Sequence, residues 1–262
     1  MFLRRKNEGY SPKKAKVLSE NDINNFLLDA DDYTWLLEKI VLVLGILGAC
    51  RRSELWSLTV DDFEDSEKNI LVSLRNTKNK KDRKFLIPKT GLPFDAYGLY
   101  KKYINLRPRN FDNPKFFIGY KKGKCVKQIV GIHTIGSVPQ KIAKFLNLEN
   151  PERYTGHSFR RSSATMLAEN GGDLLSLKEL GGWESSTVAE TYIEKSVSKR
   201  MKITNQLFHD SSKNNVSLVD TNICHSSVAS SSSIKSVNPW EGLQISKNNK
   251  CTFNFHVHYH EK

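Results

Sequence analysis

Apolar residues recur along this chain in two rhythms, and the change between them marks out its elements. Ser19-Glu20-Asn21-Asp22 ahead of Ile23, Phe26 and Leu27 has the form of an N-cap opening an amphipathic helix. The apolar run over 40–50 reads as a buried helix, since it is about half of what a bilayer requires. Period two takes over at 69–75 and 84–88, which predicts two strands separated by the charged run 76–83, a hairpin with a basic tip. Helical spacing returns over 94–107, with Tyr97, Tyr100 and Tyr103, and over 134–147, with Phe116-Phe117-Ile118 as a short apolar element in the basic loop between them. Helical patterns at 158–169 and 173–180 are joined by Gly171-Gly172, and helices over 187–192 and 196–208 follow.

The sum predicts a mainly α fold with a small antiparallel β-sheet, an α+β domain over 19–209 preceded by a basic arm over 1–18. Residues 210–250 are rich in Ser and Asn and bury too little apolar surface to order themselves, so a disordered linker is expected there. Over 251–262, Phe253, Phe255, Val257 and Tyr259 alternate with polar residues, which predicts a C-terminal strand seeking a sheet edge. His256, His258 and His260 share its other face, but they lack a fourth ligand, so no metal site is assigned.

Composition narrows the class of partner. A formal charge of +13 on 262 residues points to a polyanion, such as nucleic acid or an acidic membrane surface. Four widely spaced cysteines, Cys50, Cys125, Cys224 and Cys251, contain no CxxC pair, and the chain opens with no signal peptide; reduced thiols inside a cell are expected. No segment reaches transmembrane length, which argues against a membrane protein.

Several polar residues carry chemistry. Arg51 follows the buried helix and precedes Glu54-Leu55, which puts a planar guanidinium at a helix-to-helix turn with a carboxylate one turn on to orient it. His157 and Arg160 stand three apart at the start of a helix after Tyr154-Thr155-Gly156, where backbone N–H groups favour a phosphate. Lys78 lies in the basic hairpin with Lys80 and Lys81, and Gly182-Trp183 precedes Tyr192 by nine residues. Two arginines can neutralise the non-bridging oxygens of a phosphodiester, a lysine and a histidine can move protons, and a tyrosine can attack phosphorus.

The order and spacing of Arg51, Lys78, His157, Arg160, Trp183 and Tyr192 resemble the tyrosine recombinase (phage integrase) family from about residue 19 to 208. The resemblance implies that Tyr192 is the nucleophile and that Arg51 and Arg160 clamp the phosphate. It further implies that Lys78 protonates the departing 5′ oxygen, His157 assists proton transfer, Trp183 donates a ring N–H and Glu54 supports Arg51. It implies site-specific recombination of double-stranded DNA through a 3′-phosphotyrosyl link, with no cofactor and no metal, by a homo-oligomer on paired sites. The Gly-Gly-Trp form, the basic start and the terminal Cys-Thr-Phe-Asn-Phe also resemble eukaryotic Crypton-type mobile elements, which would put the protein in a nucleus. Family members usually carry a separate helical DNA-clamping domain ahead of the catalytic one, and only about twenty residues precede it here. Three other readings stand beside recombination: DNA relaxation of the type IB topoisomerase kind, a domesticated DNA-binding protein without cleavage, and a basic RNA-binding protein.

Overall fold

A computed structural model describes residues 14–75 and 82–207 of the chain. The expectations for 1–13, for Lys78 and the hairpin tip, for the linker and for the C-terminal strand lie outside the described residues.

The first helix, α1 (Glu20–Asp29), opens on a capping box: the Asp22 backbone N–H donates to Ser19 Oγ at 3.1 Å and the Ser19 N–H to Asp22 Oδ2 at 2.8 Å. The apolar run becomes α2 (Asp32–Leu47), in which every residue from Leu36 to Ile46 is buried, so this helix is the axis of the core. Its two buried charges are matched, Lys39 with Asp32 at 2.8 Å and Glu38 with Lys141 at 2.7 Å. After α2 the chain turns sharply through Ala49, which is buried at a φ of 43°, and enters α3 (Arg52–Ser57).

A three-stranded antiparallel sheet follows, β1 (Phe63–Asp65), β2 (Asn69–Leu74) and β3 (Arg83–Pro88), with Leu74 opposite Arg83 at the hairpin end. Arg83, assigned from the sequence to the charged run, begins β3. A second hairpin, β4 (Ile118–Lys121) and β5 (Lys124–Ile129), lies beyond α4 (Ala96–Asn105). Phe116-Phe117-Ile118 is thus not a loop patch: all three side chains are buried, and Ile118 starts the strand.

The remaining helices are α5 (Ile132–Phe145), α6 (Ser158–Glu169), α7 (Leu174–Gly181), α8 (Ser186–Lys195) and α9 (Val197–Leu207). Close packing of α6 on α2 needs Gly45, because a Cβ there would stand 2.6 Å from the Phe159 ring. Ser163 Oγ closes the same seam, donating to the Ile46 carbonyl at 2.7 Å. The segment ahead of α1 is tied to α6 as well: Leu18 is buried and its N–H donates to Ser162 Oγ at 2.8 Å. A smaller apolar cluster, Ala164, Ala168, Leu177 and Ala189 with Trp183, Tyr192 and Ile193 against it, joins α6, α7 and α8.

Candidate active site

Five of the seven predicted residues, Arg51, His157, Arg160, Trp183 and Tyr192, line one cleft of about 1140 Å³, with Glu54 behind Arg51 and Lys78 outside the described residues. Arg51 comes from the turn between α2 and α3. Its backbone N–H donates to Glu54 Oε2 at 2.8 Å and its Nη1 to Glu54 Oε1, so the carboxylate caps α3 and orients the guanidinium at once. Glu54 itself is almost wholly buried, 3% exposed at its side chain, and its second charge partner is Arg83 Nη2 at 2.9 Å. A buried carboxylate bonded to two guanidiniums is held in one place.

His157 is the N-cap of α6, and Arg160 lies one turn along the same helix. Two N–H groups of the turn, those of Thr155 and Ser158, are used within it, donating to Ser158 Oγ at 2.9 Å and to the Thr155 carbonyl at 2.8 Å. Burial pushes the His157 imidazole below its ordinary pKa, and the charges of Arg52, Arg51 and Arg160 push it the same way. Burial and the nearby Arg51 draw the Arg160 guanidinium down to about 10, which leaves it cationic at neutral pH.

Arg160 is 5% exposed and is fixed by carbonyls: Nη1 donates to Ala49 O at 3.0 Å and Nη2 to Gly181 O. Gly181 is the last residue of α7, whose carbonyl the helix leaves without an intrahelical donor, and Ala49 lies in the turn just after α2. The same guanidinium lies over the Trp183 ring, its Cζ 4.7 Å from the ring centroid, and Trp183 stacks on Tyr192 at 5.6 Å and 22°. The tight approach of Trp183 to Gly181, where a Cβ would meet the indole at 2.3 Å, explains the first glycine of the Gly-Gly-Trp sequence as backbone that only glycine fits. Trp183 thus contacts both Arg160 and Tyr192 in the cleft.

The rim adds positive charge that the sequence reading did not single out: Lys14, Arg153, Arg161 and Lys195 line the same cleft. Lys14 stands close enough to Lys195 for that like charge to lower its pKa. Arg83 was also missed as a site residue, since a charged residue beside a basic turn reads as solvated; its side chain is 10% exposed.

Comparison with known proteins places the chain in a family. The sequence pattern described as the phage integrase family matches residues 16–199. Tyrosine recombinase XerC of Rickettsia peacockii is 34% identical over 197 residues, covering 71% of this chain and 59% of that protein, and XerC of Rickettsia africae is 32% identical over the same shares. The chain therefore spans about 59% of the length of these relatives. Among solved structures, XerA recombinase aligns with a TM-score of 0.59 at 20% identity over 76% of this chain and 67% of its own. XerH recombinase bound to its difH substrate aligns at 0.56 and 18% over 75% and 54%. At these identities the likeness is one of fold: a mainly helical domain with small antiparallel sheets. With its pattern matched over well over half of the 262 residues and relatives above 30% identity, the chain belongs to the phage integrase family.

Proposed function

We propose that this chain cuts and rejoins double-stranded DNA as a site-specific recombinase, with residues 19–209 as its catalytic unit. The observation that carries the reading is the convergence of Arg51, His157, Arg160, Trp183 and Tyr192 on one cationic cleft. Tyr192 Oη attacks the scissile phosphorus; a Tyr–O–P bond forms as the bond to the 5′ oxygen breaks. His157 accepts the phenolic proton, Lys78 supplies one to the departing 5′ oxygen, and a 5′ hydroxyl from another strand later reverses the step. Arg51 and Arg160 offset the charge of the non-bridging oxygens, Trp183 donates its indole N–H to one of them and Glu54 holds Arg51, so no metal or cofactor takes part. A XerH structure described as a post-cleavage complex with DNA, and a transposon integrase with circular intermediate DNA at a TM-score of 0.51, share the fold and support this reading.

The test is a nicked suicide duplex, from which the short 5′ fragment diffuses away and traps the enzyme. A covalent protein–DNA adduct that forms equally well in EDTA is the expected result. No adduct on any duplex, or an adduct that EDTA prevents and Mg²⁺ restores, contradicts the reading.

A pH profile follows from the depressed His157 pKa. Because the imidazole is neutral through pH 7, kcat/KM for adduct formation should stay level down to below about 6.5, the ordinary imidazole value, and fall only at lower pH. His157→Gln should remove that acidic limb. A limb centred above 6.5 in the unmodified protein would contradict the role.

Assembly on paired sites belongs to the same proposal. Ser196 ends α8 and anchors α9, its hydroxyl donating to the Ala168 carbonyl at 3.0 Å, yet Val197, Met201 and Leu207 are 61%, 57% and 74% exposed. We assign this apolar face to a neighbouring copy. Removal of 196–262 should impair cooperative DNA assembly in sedimentation and gel-shift measurements more than single-site binding; removal of 211–250 should do little to either. Full assembly by the shorter truncation product would sink the assignment. The Gly-Gly-Trp form further supports a mobile-element origin of Crypton type and residence where cellular DNA is, the nucleus in a eukaryote; strand transfer of DNA flanking the gene tests that origin.

A further inference from the structure

Arg83 is placed to set the position of Arg51, although it does not line the cleft. It is the first residue of β3, and its terminal nitrogens meet three elements at once: Nη2 donates to Glu54 Oε2 at 2.9 Å, and Nη1 to the Gly48 carbonyl at 3.0 Å and to the Leu180 carbonyl. Gly48 is the C-cap of α2, Glu54 lies in α3 and Leu180 is in the last turn of α7. The stem of Arg83 passes over Gly182, where a Cβ would stand 2.5 Å from its Cδ. Gly182 also has a φ of 57°, so both the backbone and the passing arginine require glycine there.

The consequence is a relay of fixed geometry. The two carbonyls hold Arg83, Arg83 holds one oxygen of Glu54, and the other oxygen holds Arg51 Nη1. Glu54 between one arginine and solvent could rotate; between two arginines and the Arg51 N–H it has a single arrangement. Given the phosphate-clamp role assigned to Arg51 above, we propose that Arg83 is a positioning residue for catalysis, acting through Glu54 on Arg51 rather than by touching DNA. A lysine cannot replace it, since one ammonium on a flexible stem cannot span acceptors on three elements in a fixed plane.

The experiment compares single-turnover adduct formation on the suicide duplex for the unmodified protein, Arg83→Lys, Arg51→Ala and the double variant. Arg83→Lys should bind the duplex within about threefold of the unmodified protein and cleave it on the order of 10- to 100-fold more slowly, a loss in rate rather than in half-saturation. The double variant should be no slower than Arg51→Ala, because Arg83 has nothing left to position. A duplex with a methylphosphonate at the scissile position has one anionic oxygen fewer to neutralise, and on it the Arg83→Lys defect should shrink to under about threefold if Arg51's charge is what Arg83 places. Circular dichroism and thermal melting report folding; should Arg83→Lys melt below the assay temperature, Glu54→Gln takes its place and must show the same loss and the same non-additivity with Arg51→Ala. Cleavage by Arg83→Lys at the unmodified rate, or a loss that adds in full to that of Arg51→Ala, overturns the relay while leaving the recombinase reading intact. Absence of adduct with the unmodified protein overturns both.

Discussion

Tyr192→Phe is expected to abolish the covalent adduct on a nicked duplex and to leave DNA affinity within a few fold. The substitution removes one hydroxyl and no charge, and the phenyl ring keeps its place on Trp183, with which Tyr192 stacks at 5.6 Å, and in the small cluster around Leu177 and Ala189. Whatever binds the DNA backbone, Arg51, Arg160 and the rim lysines, is untouched. The nearest rival nucleophile is Cys50, beside the arginines at the end of α2. Burial first, and the charge of Glu54 after it, raise its thiol to about 12 against the pull of Arg83, Arg160 and Arg51, so it remains a thiol at neutral pH and cannot stand in. Denaturing gels with labelled DNA read the result directly; an adduct of undiminished yield from the phenylalanine protein would mean that Tyr192 is not the attacking group.

Arg160→Ala should be the most damaging of the clamp substitutions, and for two reasons that can be separated. Loss of a preorganised cation beside the phosphate costs about 3–4 kcal/mol of transition-state stabilisation, on the order of 10²- to 10³-fold in cleavage. In addition, the carbonyls of Ala49 and Gly181 lose their donor and Trp183 loses the guanidinium that it covers, which should destabilise the fold by about 2–3 kcal/mol. Arg51→Ala shares the first cost and escapes most of the second, because its partner Glu54 keeps Arg83. Cleavage kinetics should therefore fall for both variants while the melting temperature falls mainly for Arg160→Ala. Two- or threefold losses in cleavage at both positions would contradict the clamp.

The two arginine sites were legible in the sequence to different depths. Arg51 with Glu54, and His157 with Arg160, are pairs three residues apart on helices, and local spacing alone puts such pairs on one face. The apolar run that became α2 was legible for the same reason, as was the hairpin of β2 and β3. What could not be read was anything that depends on distant backbone. Arg160 is defined by carbonyls of Ala49 and Gly181, residues that supply no side-chain signal, and Arg83 by carbonyls of Gly48 and Leu180. The β4–β5 hairpin was hidden by its own turn: Lys122 and Gly123 take the positive φ values of 46° and 76° that a tight two-residue connection demands, but lysine at the first position masks the usual Asn-Gly signature. Residues 118–121 and 124–129 carry too many lysines for alternation to stand out.

The small cluster that carries Tyr192 has a bearing on timing. The long core around α2 is rich in leucine, isoleucine and phenylalanine, whereas the apolar contact of α7 and α8 with α6 rests on three alanines and Leu177, with Trp183 and Tyr192 only partly covered. So little buried area makes separation of α7 and α8 from the body a low-cost fluctuation compared with global unfolding. In the proposed reaction, opening this seam would draw Tyr192 away from the phosphate and at the same time break the bonds from Arg160 to the Gly181 carbonyl and from Arg83 to the Leu180 carbonyl, so the attacking group and the supports of both arginines are released together.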